Sequence, residues 1–369
     1  MNRREFIFAA GSPLLAGATP AEIRHLAVYK QPGRYGGWPA NHGIWSWGNE
    51  IVVGFEAGYF KQGLSMHTID YDRPAEHLLA RSKDGGESWT IEKPASLRPP
   101  PGIKQAGVPV ETGDKPAVPC PGGIPFTHPD FCMAWRMADI HVGPSRFTYS
   151  TDRGRNWSGP FQVPDFGTPG IAARTDYLVT GPASCLVFLT AAKTDRREGR
   201  VLCARTGDEG KSWQFAGWVT PEPKGFAIMP SSVRVNGDAI LTAVRVKDPS
   251  GDWIDLYRST DEGRTWSYVS RPAPRTGSNP PSMLLLKDGR LCVTYGCRID
   301  PYGIRARISA DLGKTWGDEL ILRDDGGGRD LGYPRTVQRP DGKLVTVYYF
   351  NDKTGPDRYI GATIWAPPK

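Results

Sequence analysis

An eight-residue phrase recurs five times along this chain of 369 residues, and its spacing limits what the chain can fold into. The copies are Ser82–Trp89, Ser150–Trp157, Thr206–Trp213, Ser259–Trp266 and Ser309–Trp316. Each has Asp at its third position, Gly at its fifth and Trp at its eighth, and the aspartates stand at 84, 152, 208, 261 and 311. A repeat of roughly 50 residues is typical of a supersecondary unit that cannot bury a core alone.

The chemistry of the phrase predicts a turn. The Asp side chain caps its own turn, the Gly supplies a positive φ, and the Trp packs beneath a hairpin. A second repeat lies between the phrases, namely a hairpin of two apolar strands that often turns on Asn-Gly-Asp or Asp-Gly. These hairpins span about residues 40–56, 117–136, 175–192, 230–246, 280–298 and 333–351.

Six hairpins predict an all-β chain folded as a six-bladed β-propeller of four-stranded antiparallel sheets. The even spacing favours one closed domain, residues 23–367, over two separate domains. Only five hairpins are followed by the repeated phrase, so the sixth blade needs the chain ends. We expect Ile23–Tyr29 to pair with Tyr359–Trp365, because such closure removes exposed sheet edges.

Composition argues against two classes of partner. The formal charge is +7, yet no block of consecutive Lys and Arg appears, so a solvated basic surface is expected rather than a nucleic-acid-binding protein. No apolar run is long enough to span a bilayer.

The first residues predict export. Arg3 and Arg4 precede a short apolar stretch, and Ala16–Ala18 has the small residues of a cleavage site. Residues 1–18 therefore resemble a twin-arginine export signal, with a Sec-type signal as the alternative. Either signal would direct the mature protein out of the cytoplasm, to the periplasm or the extracellular space.

Six cysteines are present, at 120, 132, 185, 203, 292 and 297. They form no CxxC pair and no spacing typical of metal ligands, so no metal or other cofactor is expected. Two bridges, Cys120–Cys132 and Cys185–Cys203, are conceivable on adjacent strands, and small buried thiols are the alternative.

The hairpin geometry assigns residues to one face of the ring. In an antiparallel hairpin the first residue of one strand lies beside the last residue of its partner, and the repeated phrases fall on the opposite face. The strand starts on this face are Trp38, His42, Asp176, Pro230, Asn279 and Tyr333, and the strand ends are Glu56, Arg136, Lys193, Arg245, Arg298 and Asn351. Four of the six strand ends are cationic, which favours binding of an anion such as a carboxylate.

The repeated phrase and the hairpins resemble the sialidase (neuraminidase) superfamily of six-bladed propellers with Asp-box, or BNR, repeats, from about Ile23 to Pro367. The resemblance implies an exo-glycosidase that releases a terminal acidic sugar such as sialic acid. In that family an arginine triad binds the sugar carboxylate, a tyrosine attacks the anomeric carbon, a glutamate takes its proton and a loop aspartate is the acid/base. A neutral phenol suits an anomeric centre that already carries a carboxylate.

Five positions match the family pattern. Tyr333, within Gly-Tyr-Pro-Arg, takes the place of the nucleophile, and Arg245 and Arg298 take the places of two triad arginines. Asp72, in the long loop between Ala57 and Pro74, takes the place of the acid, with Asp70 and His67 as alternatives. Glu56, in Gly-Phe-Glu-Ala, resembles the family's Phe-Ala-Glu segment.

Two positions depart from the pattern. The first arginine is replaced by Gly36-Gly-Trp-Pro39, so Arg34, Arg73 or Arg136 is expected to substitute. The glutamate that should open the fourth hairpin is replaced by Pro230, which leaves Asp176 or Glu56 as the base for Tyr333. Trp38 is expected to stack on a sugar, and His42 to contact the substrate or to serve as a satisfied polar residue.

Three functions follow. The first is sialidase-like release of a terminal acidic sugar from a glycan or sialoglycoconjugate, with retention of configuration. The second is a polysaccharide lyase or a glycosidase directed at uronic acids, which the missing glutamate favours. The third is a non-catalytic propeller that binds an acidic glycan or a protein. The oligomeric state stays open.

Overall fold

The computed structural model describes residues 22–63, 67–235, 237 and 239–368, and the expected export signal at residues 1–18 lies outside them. Nearly all regular structure in these ranges is β-strand, and six sheets form the blades of a propeller. The predicted fold class is confirmed. No helix within the described ranges has the length and apolar composition needed to cross a membrane.

The first three blades differ in how their inner edges are built. From the centre of the ring outward, blade 1 contains Arg34–Gly37 and Ile44–Trp47, then Glu50–Tyr59, Glu76–Ser82 and Thr90–Glu92. Blade 2 contains Cys132–Met137, Ser145–Ser150 and Ser158–Gln162. Blade 3 contains Ile171–Ala172 and Tyr177–Val179, then Cys185–Ala192, Glu198–Thr206 and Gln214–Trp218.

The other three blades each have four strands. Blade 4 contains Phe226–Val235, Ala239–Asp248, Gly251–Ser259 and Ser267–Ala273. Blade 5 contains Pro281–Leu285, Leu291–Cys297, Gly303–Ser309 and Leu320–Arg323. Blade 6 contains Gly332–Gln338, Leu344–Phe350, Tyr359–Trp365 and Ile23–Tyr29. The remaining described elements are the helix Pro39–His42, the 3₁₀ turn Ala95–Leu97 and a ribbon of Lys104–Gln105 with Val108–Pro109.

The ring closes as expected from the sequence. Ile23–Tyr29 pairs antiparallel with Tyr359–Trp365 and becomes the outermost strand of blade 6. Because this strand comes from the opposite end of the described chain, it covers the edge that Tyr359–Trp365 would otherwise expose.

Blade 2 departs from the prediction of four strands in every blade. The first half of the predicted hairpin 117–136 forms no inner strand, and Val118 instead bridges Phe161 on the outer strand in parallel. Prolines at 116, 119, 121, 125 and 129 explain the difference. Proline has no backbone N–H to donate to a sheet ladder, so this segment cannot form a central strand.

The five repeated phrases form turns with the same hydrogen bonds. In each, the first Ser or Thr hydroxyl contacts the Asp carboxylate and accepts the N–H of the following Gly. In the fourth copy, hydrogen bonds from Thr265 lower the pKa of Asp261 to about 2. The six cysteines are free thiols, of which Cys132, Cys185, Cys203 and Cys292 are buried, as the thiol alternative expects, and Cys120 and Cys297 are partly exposed.

The two faces of the ring are separated as predicted. Arg339, in the turn after the inner strand of blade 6, donates to Gly85 O and Glu87 of the first repeated phrase. The repeated phrases therefore lie on the face opposite the starts of the inner strands. The face that carries those starts is termed the upper face.

Four residues on the upper face have left-handed backbone conformations that L-residues rarely adopt. They are Trp38, Met229, Ser278 and Tyr333, with φ of 58°, 55°, 71° and 51°. Such a conformation costs about 1–3 kcal/mol and persists only where surrounding contacts impose it. These four residues lie within or next to the inner strands of blades 1, 4, 5 and 6, so they mark one shared region around the ring axis.

Candidate functional site

Tyr333 lies at the centre of the upper face, at the start of the inner strand of blade 6. Its side chain is buried, and its backbone N–H donates to Asn279 Oδ1 over 2.9 Å. The Asn279 side chain also donates to Leu331 O over 3.1 Å. Asn279 therefore holds the backbone on both sides of Gly332 and supports the unusual φ of Tyr333.

Arg245 and Arg298, termed the arginine pair, converge on Tyr333 from blades 4 and 5. Arg245 Nη1 donates to the Tyr333 hydroxyl over 3.2 Å. The Arg298 Cζ lies 5.3 Å from the centre of the Tyr333 ring, and Arg298 Nη2 donates to the Tyr349 hydroxyl over 2.6 Å. The predicted cationic upper face thus brings two buried guanidinium groups to one phenol.

The arginine pair distinguishes Tyr333 from the tyrosines around it. Burial opposes ionisation of Tyr333, but the charges of Arg245 and Arg298 outweigh it and lower the pKa of the phenol. Burial instead raises the pKa of Tyr35 and Tyr349 well above the usual range, and the charge of Asp330 adds to both effects. Tyr333 is therefore the phenol at this site whose surroundings favour ionisation.

His67 and Asp330 form a second reactive group beside the phenol. His67 Nδ1 contacts Asp330 Oδ1 at 2.8 Å, and the His67 ring lies edge-on to Tyr333 with centres 6.4 Å apart. Because a carboxylate accepts, Nδ1 carries the ring hydrogen and Nε2 is the basic nitrogen of the neutral imidazole. Burial lowers the pKa of His67, while Asp330 acts in the opposite direction.

Asp330 is buried and fully engaged. Its carboxylate accepts hydrogen bonds from the Tyr349 hydroxyl, from Thr68 N and Oγ1, and from Arg358 Nε, in addition to His67. Although burial alone would raise its pKa, the hydrogen bond and charge of His67 and the other donors hold the pKa of Asp330 well below its usual range. A permanently ionised Asp330 fixes the orientation of His67 over the site.

A third cation, Arg174 of blade 3, acts on the phenol through its charge. Arg174 is buried, and its charge also lowers the pKa of Tyr333. Its guanidinium is held by Asn41 Oδ1 over 3.1 Å and Glu198 Oε2 over 3.0 Å. Sequence reasoning missed Arg174, although it stands two residues before Asp176 at the third hairpin.

The comparisons with known proteins agree with this architecture. A family model described as a BNR repeat-like domain matches residues 133–346, which is more than half of the chain. The chain belongs to the BNR repeat-like family. No curated protein matches the sequence.

Solved structures share the fold of this chain over most of its length. A protein of unknown function from Dyadobacter fermentans is 21% identical, with 94% of this chain and 99% of that chain covered and a TM-score of 0.71. The Penicillium chrysogenum alpha-L-arabinanase is 12% identical (93% and 97% covered, TM-score 0.60). The NanB sialidase from Streptococcus pneumoniae is 10% identical (96% and 70% covered, TM-score 0.55). At these identities the likeness establishes the fold.

In the loop that carries Asp70 and Asp72, the residue that contacts the site is His67. Asp72 is 78% exposed in its side chain and pairs with Lys61 at 2.6 Å, and Asp70 contacts the same lysine. The structure thus places both carboxylates against Lys61, and their predicted roles at the site stay predictions. His67, the remaining alternative in that loop, does contact the site, because Thr68 and His67 are held by Asp330.

Glu56 and His42 face away from the phenol, into the space between blades 1 and 2. Glu56 is paired with His77 across the strands of blade 1, and His42 lies edge-on to His77 with ring centres 5.1 Å apart. Burial raises the pKa of Glu56 to about 8. Neither the proposed base Glu56 nor the proposed substrate contact His42 is therefore placed at Tyr333.

His42, Glu56 and His77 have potential metal-ligating atoms within 4.8 Å of one another. Arg136 Nη2 contacts His42 Nδ1 at 2.7 Å, and because arginine only donates, Nε2 of His42 must carry the ring hydrogen. A metal would need the lone pair at that nitrogen. The charges of Arg136 and Arg146 also oppose a cation, so these residues do not fit a metal site.

The other expected site residues have structural partners. Arg136 is buried and donates to Asn41 O and His42 O at the end of the short helix. Arg34 pairs with Glu76 at 2.5 Å and donates to Ala57 O. Both arginines hold blade 1 in place, so neither substitutes for the first arginine at Tyr333.

Asp176 lies in a separate cavity of about 270 Å³, lined also by Thr175, Trp45 and Arg335. Its carboxylate accepts from Ser232 N and Oγ, and burial raises its pKa to about 6. Asp176 is thus held by Ser232, and its predicted role as the base of Tyr333 stays a prediction. Pro230 stands at the position of the missing glutamate, and beside it Met229 Sδ lies 3.5 Å from Arg245 Nη1. Within the described residues no carboxylate hydrogen-bonds the Tyr333 hydroxyl.

Of the expected residues, the structure brings together Tyr333, Arg245, Arg298, Trp38 and His67. Trp38 lies edge-on to His67 with ring centres 5.1 Å apart, and its stacking on a sugar stays a prediction. The functional neighbours that sequence reasoning missed are Arg174, Asp330, Tyr349 and Ser278. Of these four, Asp330 was the easiest to find from the sequence, since it precedes Tyr333 by three residues at the end of a glycine-rich connection.

Proposed function

We propose that this protein cleaves glycosidic bonds in a glycan whose reacting sugar carries a carboxylate, at the pocket around Tyr333. The observation that carries the proposal is the convergence of Arg245 and Arg298 on a single phenol with a lowered pKa. Guanidinium groups bind carboxylates through charge-assisted, often bidentate hydrogen bonds. The sialidase and arabinanase among the structural neighbours act on glycans by name, which supports a carbohydrate substrate.

In the hydrolytic mechanism, Tyr333 first loses its proton to solvent, and the phenolate is stabilised by the arginine pair. The phenolate oxygen then bonds to the anomeric carbon while the bond to the leaving oxygen breaks, and protonated His67 gives that oxygen its proton. Water next attacks the anomeric carbon, gives its proton to His67 and releases Tyr333. Two displacements leave the configuration retained.

One observation favours a lyase as the second candidate. Burial lowers the pKa of His67, which favours its neutral form, and the Tyr333 hydroxyl contacts no carboxylate base within the described residues. A neutral imidazole can remove the proton from the carbon beside a uronate carboxylate, and Tyr333 can then protonate the departing oxygen. The arginine pair would stabilise the negative charge that develops on the carboxylate.

One panel of substrates tests both candidates. The purified protein is incubated with a fluorogenic sialoside, with uronic-acid polysaccharides and with neutral arabinan. Fluorophore release, or new reducing ends without ultraviolet absorbance, supports hydrolysis, whereas absorbance from an unsaturated uronate supports the lyase. Cleavage of arabinan alone would overturn the proposal, because that substrate has no carboxylate for the arginine pair. Binding of acidic glycans without any product would show a non-catalytic propeller.

A further inference from the structure

The short turn Thr276–Asn279, between blades 4 and 5, contacts Tyr333 and both members of the arginine pair. It lies just before the inner strand Pro281–Leu285. Thr276 and Asn279 are fully buried, and Ser278 is nearly so. The turn itself is anchored by Asp252, whose Oδ1 accepts from Thr276 N over 3.1 Å and from Ser278 N over 2.6 Å.

Ser278 holds both members of the arginine pair. Its Oγ accepts from Arg245 Nε over 3.2 Å and from Arg245 Nη2 over 2.7 Å. Its carbonyl oxygen accepts from Arg298 Nη1 over 3.3 Å. With two of its nitrogens fixed by one hydroxyl, the Arg245 guanidinium has its remaining nitrogen Nη1 directed at the Tyr333 hydroxyl.

Asn279 holds the phenol from its backbone. Its Oδ1 accepts the N–H of Tyr333, and its Nδ2 donates to Leu331 O, which also accepts from Arg298 Nε. Tyr333 is in the left-handed region with φ of 51°, so its side-chain direction depends on contacts that impose this conformation. Asn279 supplies one of those contacts from the neighbouring blade.

Gly277 shows how closely the turn approaches the site. Its φ is +68°, and a Cβ at this position would lie 2.6 Å from Arg298 Cβ and 2.9 Å from Arg298 C. Neither contact is tolerable for a real side chain. The close approach allows one turn of four residues to reach groups from blades 4, 5 and 6.

We infer that Ser278 and Asn279 are the positioning residues of this site, which set the distance between the Arg245 guanidinium and the Tyr333 phenol. Neither residue is assigned a bond to substrate. The inference depends on the proposed function only in taking Tyr333 as the reacting group. Whether this turn affects the ionisation of the Tyr333 phenol can be measured without any substrate.

The experiment is a spectrophotometric titration of the tyrosines in the folded protein, which has 14 of them. The part of the absorbance titration curve that is missing in Tyr333→Phe belongs to the Tyr333 phenol, and it is termed the Tyr333 component. Ser278→Ala releases the Arg245 guanidinium, and Asn279→Ala releases the Tyr333 backbone, so each should move this component to higher pH. If a substrate is found, each variant should also lower kcat by about a hundredfold, since a displacement of about 1 Å is enough for that.

Ser282→Ala is the matched control, because Ser282 Oγ accepts Thr336 N over 3.0 Å and so makes the same kind of link from blade 5 to blade 6. It should lower the melting temperature and leave the Tyr333 component in place. A folded Ser278→Ala protein with the parent titration would overturn the inference. If Ser278→Ala does not fold, the titration of Asn279→Ala tests the inference instead. A folded Asn279→Ala protein with the parent titration would then overturn it.

Discussion

The Nη1 of Arg245 donates a hydrogen bond to the hydroxyl of Tyr333 across 3.2 Å, although the two residues are 88 positions apart in the chain. Arg245 lies near the end of a strand of blade 4 and Tyr333 near the beginning of a strand of blade 6, so the contact spans the centre of the ring. It lowers the pKa of the phenol and places a cation where a carboxylated sugar would bind.

Replacing Tyr333 by Phe should lower turnover of the cleaved glycan by several orders of magnitude, because the reacting oxygen is lost. Initial rates on the substrate found in the panel measure the effect. Tyr348→Phe is the matched control, since Tyr348 is also fully buried on blade 6 but its hydroxyl contacts Thr363 Oγ1. Equal activity of the two variants would rule out a reacting role for Tyr333.

Arg298→Ala should weaken binding of a carboxylated sugar by about 2–5 kcal/mol, the range for removing one partner of a buried charge pair. Isothermal titration with the acidic sugar measures this loss. The same sugar with its carboxyl group reduced to an alcohol is the control ligand, and its affinity should change little. If both ligands lose affinity equally, Arg298 maintains the pocket rather than binding a carboxylate.

Asp330→Asn should shift the pH dependence of activity. In the parent protein burial lowers the pKa of His67 and Asp330 raises it. Removing the carboxylate leaves burial unopposed, so the limb of the pH–rate profile that reports His67 should move to lower pH. If the rate of Asp330→Asn falls but both limbs of its pH–rate profile stay at the same pH, His67 does not transfer the proton.

Glu56→Gln should change how stability depends on pH. Burial raises the pKa of Glu56 from 4.5 to about 8, so between these values the folded protein holds a proton that the unfolded chain has released. The stability from this group is complete below pH 4.5 and is lost as pH rises through about 8. The Gln variant has no carboxyl group to titrate here, so it does not lose this stability. At about pH 9 its free energy of unfolding should exceed that of the parent by on the order of a few kcal/mol.

Urea unfolding at a series of pH values tests the Glu56 prediction. Glu111→Gln, at an exposed glutamate paired with Lys93, controls for the loss of one formal charge. The difference between the Glu56 variant and the parent should grow steadily from about pH 5 to about pH 8. A constant difference over that range would mean that Glu56 is ionised in the folded protein throughout.

Strand pairing explains which site residues the sequence predicted correctly. Hairpin register assigns Arg245 and Arg298 to the upper face, and the start of the last hairpin assigns Tyr333 to it; all three meet there. Trp38 follows from the same argument. Register is a local property, because each hairpin is set by its own turn and by alternation along its two strands.

The same reasoning gave the wrong location for residues whose side-chain direction is not set by strand register. Glu56 is expected to end its strand on the upper face, yet the strand continues to Tyr59 and the Glu56 carboxylate points between blades 1 and 2 toward His77. Asp72 lies in the predicted loop, yet the fold of that loop presents His67 to the pocket and leaves Asp72 with Lys61 in solvent. Loop paths and side-chain directions depend on packing that no periodic pattern records.

The sequence by itself determined the ring, its closure by Ile23–Tyr29 and the cationic face, because repeat spacing and hairpin turns are encoded within short segments. The tertiary structure alone decided that His67 contacts Asp330, 263 residues away, and that Ser278 and Asn279 direct the arginine pair and the phenol. Contacts between such distant segments form only when all six blades have packed, so their geometry is a property of the closed ring rather than of any one stretch of chain.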